Sequence, residues 1–141
     1  MITSLLLTSY LINPLAQHGP KVKEVKLVQL NKTKVASGSI ALSRDFKRYA
    51  YASPKGAVFI DGKQLGTYPD HGTVIFSGNS DDYAFIAQLK DGEPPVLIKN
   101  GKPVKTEGMP ARLFRTHDLG PIAYLERMGT KFRLVTDKGS S

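Results

Sequence analysis

The sequence predicts an all-β fold built from about three four-stranded antiparallel units, and three observations carry that reading. Beyond residue 20 the apolar residues alternate with polar ones in short runs, the period of a pleated strand, and helical periodicity is absent. Asp61-Gly62 and Asn100-Gly101 stand between such runs, and both dipeptides favour a type I′ hairpin turn, whose two central residues need positive φ. A similar segment also recurs every 34 to 39 residues or so.

The elements follow in order. Val25, Leu27 and Leu30, interleaved with Lys26 and Gln29, read as a first strand; Asn31–Lys34 reads as its turn and Val35–Ser37 as a short return. The first unit runs Ser39–Ser43, a polar turn Arg44–Arg48, Tyr49–Ala52, Val58–Ile60, the turn Asp61-Gly62-Lys63, and Gln64–Thr67. The second runs Thr73–Ser77, the turn Gly78–Asp82, Tyr83–Ala87, Val96–Ile98, the turn Asn100-Gly101-Lys102, and Pro103–Lys105. Pro103 suits an outer edge because it has no N–H to give to a ladder. The third is a degenerate copy: Arg112–Arg115, the turn Thr116–Pro121, Ile122–Leu125, then Phe132–Val135 with Asp137-Lys138-Gly139. On this alignment Arg115 occupies the place of Ser43 and Ser77, and the chain closes after a third strand.

The run Leu42-Ser43-Arg44-Asp45-Phe46-Lys47-Arg48-Tyr49-Ala50-Tyr51, followed by Phe59-Ile60-Asp61-Gly62-Lys63, resembles the blade motif of WD40-like (TolB-type) β-propeller repeats. In that motif a strand ending in Ser leads through a polar turn into an apolar strand with Ala. The resemblance extends over residues 25 to 139. The usual Pro-Asp-Gly turn is replaced by Arg44-Asp45-Phe46 and Gly78-Asn79-Ser80, and no Trp-Asp dipeptide occurs. It implies propeller-like blades and a protein- or ligand-binding role. Four or more blades make a propeller, so three units imply a partial propeller within something longer, or one completed by other copies pairing open sheet edges. A barrel or sandwich of short hairpins is the other architecture with this spacing.

The domain reading is an apolar N-terminal segment and hinge over residues 1–20, then a repeat domain over 21–141. Ser4–Ile12 is too short to span a bilayer as a helix. It has the length of a signal-peptide core with a cleavage point after Ala16, which favours export, although basic residues before the core are missing. A short helix or strand packed on the body, ended at Asn13-Pro14, is the alternative, with His18-Gly19-Pro20 as hinge.

Composition narrows the functional classes. The chain has 141 residues, 40% of them hydrophobic and 23% charged, which suits a folded domain. With no cysteine, disulfides, thiolate metal sites and cysteine nucleophiles are excluded. The formal charge of +8 favours polyanionic partners, yet the basic residues are scattered with no run of four, so a solvated, edge-guarding surface is the preferred reading.

Several residues are candidates for chemistry. Asp70-His71 and His117-Asp118 lie in turns and could bind metal or relay protons, but neither pair has a close-spaced further ligand. Asp81-Asp82 and Asp91-Gly92-Glu93 cluster carboxylates without an EF-hand spacing, and Asn79, Ser80 and Asp81 suit a turn. Tyr49, Tyr51, Tyr68, Tyr83, Phe85 and Tyr124, near Arg48, Arg115 and Arg127, could form a stacking and cationic surface. Recurrence of Tyr49 and Tyr51, like Tyr83 and Phe85, at one place in each unit instead argues for core. Asn31-Lys32-Thr33 fits a glycosylation acceptor. No nucleophile elbow, Walker loop or dinucleotide fingerprint occurs. The expectation is a non-enzymatic binding module with no cofactor, no metal and no catalytic residue; a self-assembling structural subunit is the alternative, and a polyanion-binding module the second.

Overall fold

A two-residue turn with both φ angles positive matches the right-handed twist of the strands it joins. Asp61 (φ 50°) and Gly62 (φ 81°) make one such turn, and Asn100 (φ 50°) and Gly101 (φ 78°) make its counterpart. Each also ties to the strand beside it. Asp61 Oδ1 accepts from the Tyr49 N–H at 3.0 Å, and Asn100 Oδ1 accepts from the Tyr83 N–H at 3.0 Å. The expected hairpins therefore stand where the sequence places them.

The computed structural model describes residues 2–10, 22–31, 35–116, 120–136 and 139–140. Among these there is no helix. Strands β1 (Ile2–Tyr10) and β2 (Val22–Asn31) pair antiparallel, Ile2 with Asn31 and Tyr10 with Val22. The part of the apolar N-terminal run up to Tyr10 is thus strand, Leu11 and Ile12 lie outside the described residues, and β2 covers the predicted first strand. The hinge at 18–20 lies outside the described residues. The short return at Val35–Ser37 does not form. Instead the Ala36 N–H donates to Ala52 O at 2.7 Å, and Gly38 (φ 71°) turns the chain toward the first unit.

Sheet 1 consists of β3 (Ala41–Leu42), β4 (Tyr49–Ala52), β5 (Ala57–Ile60) and β6 (Lys63–Thr67), in that order. Sheet 2 repeats the plan with β7 (Ile75–Phe76), β8 (Tyr83–Ala87), β9 (Val96–Lys99) and β10 (Lys102–Val104). Sheet 3 consists of β11 (Met109–Arg115), β12 (Ile122–Met128), β13 (Lys131–Thr136) and β14 (Gly139–Ser140). The third unit differs from its expected form in two ways. Its first strand begins at Met109, and Gly139–Ser140 adds a fourth strand by pairing with Val135 and Thr136. The predicted turn residues Asp137 and Lys138 lie outside the described residues.

The loop after the first strand of each unit explains why Ser precedes it. Ser43 Oγ accepts the Arg48 N–H at 2.9 Å and donates to Asp45 Oδ1 at 2.7 Å. Ser77 Oγ likewise accepts the Asp82 N–H at 3.0 Å and donates to Asn79 Oδ1 at 2.6 Å. Both serines are buried, so these bonds satisfy groups that water does not reach. In the third unit the equivalent residue is Thr116, not Arg115, because Arg115 pairs with Ile122 as Leu42 pairs with Tyr49. The partner there is Pro121, which has no N–H, so the Thr116 hydroxyl donates to Pro121 O at 2.7 Å instead.

Phe46 (φ 57°) and Ser80 (φ 67°) hold the place of the motif's glycine and adopt its left-handed conformation without its freedom. The Phe46→Gly variant should gain about 1 kcal/mol of stability by removing that strain. A thermal melt that is unchanged or lowered would contradict this. The Asp45 carboxyl is held below the usual carboxylate range, chiefly by the Ser43 hydroxyl and then by the Lys47 N–H. A depressed folded-state pKa contributes stability above the unfolded value, near 3.9, that fades as pH falls through the folded value. Asn79 makes the same contacts without charge, so Asp45→Asn should keep the loop but lose that acid-limb dependence. Chemical denaturation at neutral pH and below pH 4 checks it.

The sheets share cores in sequence order. Ala50, Ala52, Val58 and Ile60 of sheet 1 cluster with Phe76, Tyr83, Phe85, Ala87 and Ile98 of sheet 2. The opposite face of sheet 2, through Ala84 and Leu97, clusters with Ile122 and partly buried Leu113 and Tyr124 of sheet 3. At one end, Arg48 bridges sheets 1 and 2: Nε donates to Asp61 Oδ2 at 2.9 Å and a terminal nitrogen donates to Ser80 O at 3.2 Å and Asp81 O at 2.7 Å. The Gly78 N–H donates to Gly120 O at 2.9 Å and joins sheets 2 and 3 at the same end.

Candidate functional site

The end opposite Arg48 carries a cleft. Ser39 anchors one wall: its hydroxyl shares its single proton between Ala36 O at 2.8 Å and Ala52 O at 3.1 Å and accepts the Ala52 N–H at 3.0 Å. The other wall is the segment entering β7, where His71 forms an isolated antiparallel bridge with Ala87 and the Gly72 N–H donates to Ile86 O at 2.8 Å. Between them lies a space of about 150 Å³ lined by Ala36, Ser37, Gly38, Ser39, Ala52, Val58 and residues 71–74. Small residues and exposed backbone make the walls, and the floor is apolar through Ala52, Val58 and Val74. A ligand pocket for a drug-sized molecule spans about 300–1,000 Å³, so this cleft takes one side chain or a small polar group.

Among the described candidate residues, only His71 lines the cleft. Its Nδ1 lies 3.3 Å from Gly72 O, and its neighbour Asp70 is exposed. His18 and His117-Asp118 are outside the described residues. Asp81 and Asp82 are engaged locally: Asn79 Nδ2 donates to Asp81 Oδ2 at 2.9 Å, and Asn100 Nδ2 donates to Asp82 Oδ1 at 2.7 Å. Asp91 and Glu93 sit on an exposed turn closed by the Glu93 N–H to Lys90 O. Among the described residues no group of three His, Asp or Glu side chains could hold a metal ion. Asn31 ends β2, and Lys32-Thr33 are outside the described residues.

The aromatic and cationic groups divide between core and surface. Arg48 lies over the Phe76 ring at 5.4 Å and the Tyr83 ring at 5.5 Å, so this pairing is part of the joint between sheets. Tyr83 and Phe85 are buried, and burial raises the Tyr83 hydroxyl above its ordinary pKa. Tyr49 and Tyr51 are only half-buried. They face away from the core shared with sheet 2 and form a stacked ladder, Tyr49 to Tyr51 at 6.4 Å and Tyr51 to Phe59 at 4.7 Å. Register alone did not distinguish them, because sheet 2 has a neighbour on each face.

One group was not singled out from the sequence. Glu126 is 1% exposed, and its carboxylate accepts from Arg133 at 2.6 Å across the β12–β13 pair; Arg133 also donates to Glu107 at 2.7 Å. The signal available was a charge at an inward position of a strand, two residues after Tyr124.

Compared with protein-family models, with curated proteins and with solved structures, the chain matches none. Among the described residues no helix is long and apolar enough to cross a membrane.

Proposed function

We propose that the chain is a non-catalytic β-propeller-like module that binds a protein partner through the loops at its cleft end. The observation that carries this reading is the cleft at the seam between two successive sheets, whose volume suits one inserted side chain. Exposed backbone at Ser37, Gly38 and Gly72 can receive hydrogen bonds from an extended peptide, while Val58 and Val74 offer an apolar floor. The propeller-like arrangement is supported by the repeated Ser-centred loops, the paired I′ hairpins and a middle sheet that buries both faces. Fold alone does not assign a role, so the test is direct.

Peptides selected from a random display library on the purified chain should shift the amide resonances of Ser37, Gly38, Gly72 and Thr73 on titration. Thr73→Arg, at the exposed rim, should weaken them at least about tenfold, the scale of one obstructed contact. Shifts confined to the Arg48 end, or a library that yields no binder, would overturn the reading.

A further inference from the structure

The two outer faces of the three-sheet stack are related by its internal repeat. Tyr49, Tyr51 and Phe59 of sheet 1 occupy the places that Tyr83, Phe85 and Ile98 occupy in sheet 2, as the pairings Tyr51 with Phe59 and Phe85 with Ile98 show. In sheet 2 that face is buried against sheet 1. On sheet 1 the same face is half-buried and aromatic.

Sheet 3 presents the reciprocal surface. The pairing of Leu125 with Leu134 is equivalent to that of Ala52 with Val58, which sheet 1 buries against sheet 2. Strand alternation puts Phe132 and Leu134 on that face with Leu125, and they are 61% and 39% exposed. Two adjacent exposed apolar side chains on a strand interior are costly in water unless something covers them. The edges of sheets 1 and 2 are poor candidates for the contact: β3 and β7 are two residues long, and β6 and β10 carry lysines and Pro103.

We propose that a second copy of this chain covers these faces, the outer face of sheet 3 in one copy stacking on the Tyr51 face of sheet 1 in the other. The contact is a continuation of the register that already joins sheets 1 and 2. Two such contacts close a head-to-tail pair into a ring of six sheets, within the four to eight that propellers use. This inference rests on the propeller-like reading of the stack and adds the partner.

The absence of cysteine permits a clean cross-linking test. Chains carrying Tyr51→Cys are mixed with chains carrying Leu134→Cys and treated with a short thiol-specific cross-linker. A covalent pair in the mixture, with none from either variant alone, is expected. The native chain should have twice the 15.4 kDa mass of one copy in light scattering. Leu134→Asp should halve it, with Phe132→Asp, at the more exposed position, as a second reading should Leu134→Asp not fold. A monomeric native chain, an open polymer, a pair unaffected by both aspartates, or cross-links within one variant would each overturn the proposal. Peptide binding at the cleft of the monomeric aspartate variants is measured separately, so loss of the ring and loss of the binding role give different results.

Discussion

Arg133→Met should destabilise the protein by about 3–5 kcal/mol, because it leaves the Glu126 carboxylate buried without its partner. Glu126 is 1% exposed and takes its hydrogen bond from Arg133 at 2.6 Å. The outer contact of Arg133 with Glu107, whose side chain is 72% exposed, is worth little beside it, on the order of 0–1 kcal/mol. Among the described residues Arg133 Nε has no hydrogen-bond partner, so the pair is incompletely satisfied even in the native protein. The double variant Glu126→Leu/Arg133→Met should therefore recover most of the loss, since an apolar pair in a low-dielectric site avoids the desolvation of both ions. Urea unfolding of the two single variants and the double variant measures the coupling. A double variant no more stable than Arg133→Met would show that the ion pair is a net stabiliser.

Phe85→Ala should cost about 3–5 kcal/mol through lost burial and the cavity left behind. Phe85 is 0% exposed, sits in the core between sheets 1 and 2, and meets the edge of Tyr68 at a centroid distance of 5.3 Å. Against a typical total of about 5–15 kcal/mol, such a loss leaves a substantial unfolded population. Tyr51→Ala, at the equivalent position of sheet 1, should cost clearly less in an isolated chain, because that face is only half-buried. Equal losses in the two variants would mean that sheet 1 is covered as completely as sheet 2. Circular dichroism melts of both variants, each in the monomeric Leu134→Asp background, make the comparison.

The strands and hairpins of sheets 1 and 2 were legible because local chemistry and tertiary structure agree there. Asp61-Gly62 and Asn100-Gly101 need positive φ, and the alternating runs beside them have a core on at least one face. Sheet 3 was harder to read for two physical reasons. Pro121 lacks the N–H that a hydroxyl would accept, so Thr116 serves the motif in a different way and the chain carries no serine to mark the position. Glu126 and Arg133 interrupt the apolar alternation that marks a strand's inner face. Val35–Ser37 has strand-like residues but no ladder to join, and Ala36 bonds to the end of β4. The cleft was legible only through His71, since its other walls are backbone and small side chains brought together from two units.

The two I′ turns differ by one atom in a way that bears on how the purified protein ages. Asn followed by Gly loses its amide readily, because glycine leaves its backbone nitrogen free to attack the side chain. In the first unit the turn residue is already an acid: Asp61 faces the Arg48 guanidinium at 2.9 Å. In the second unit the place of Arg48 is taken by Asp82, whose Oδ1 receives a hydrogen bond from Asn100 Nδ2 at 2.7 Å. Deamidation of Asn100 would convert that donor to a carboxylate and set two like charges against each other, with Lys99 at 3.6 Å from Asp82. A stored sample would thus acquire its charge heterogeneity, a 1 Da gain and a more acidic band, first at the hairpin of the middle sheet, and the damage would loosen the layer that holds the other two together.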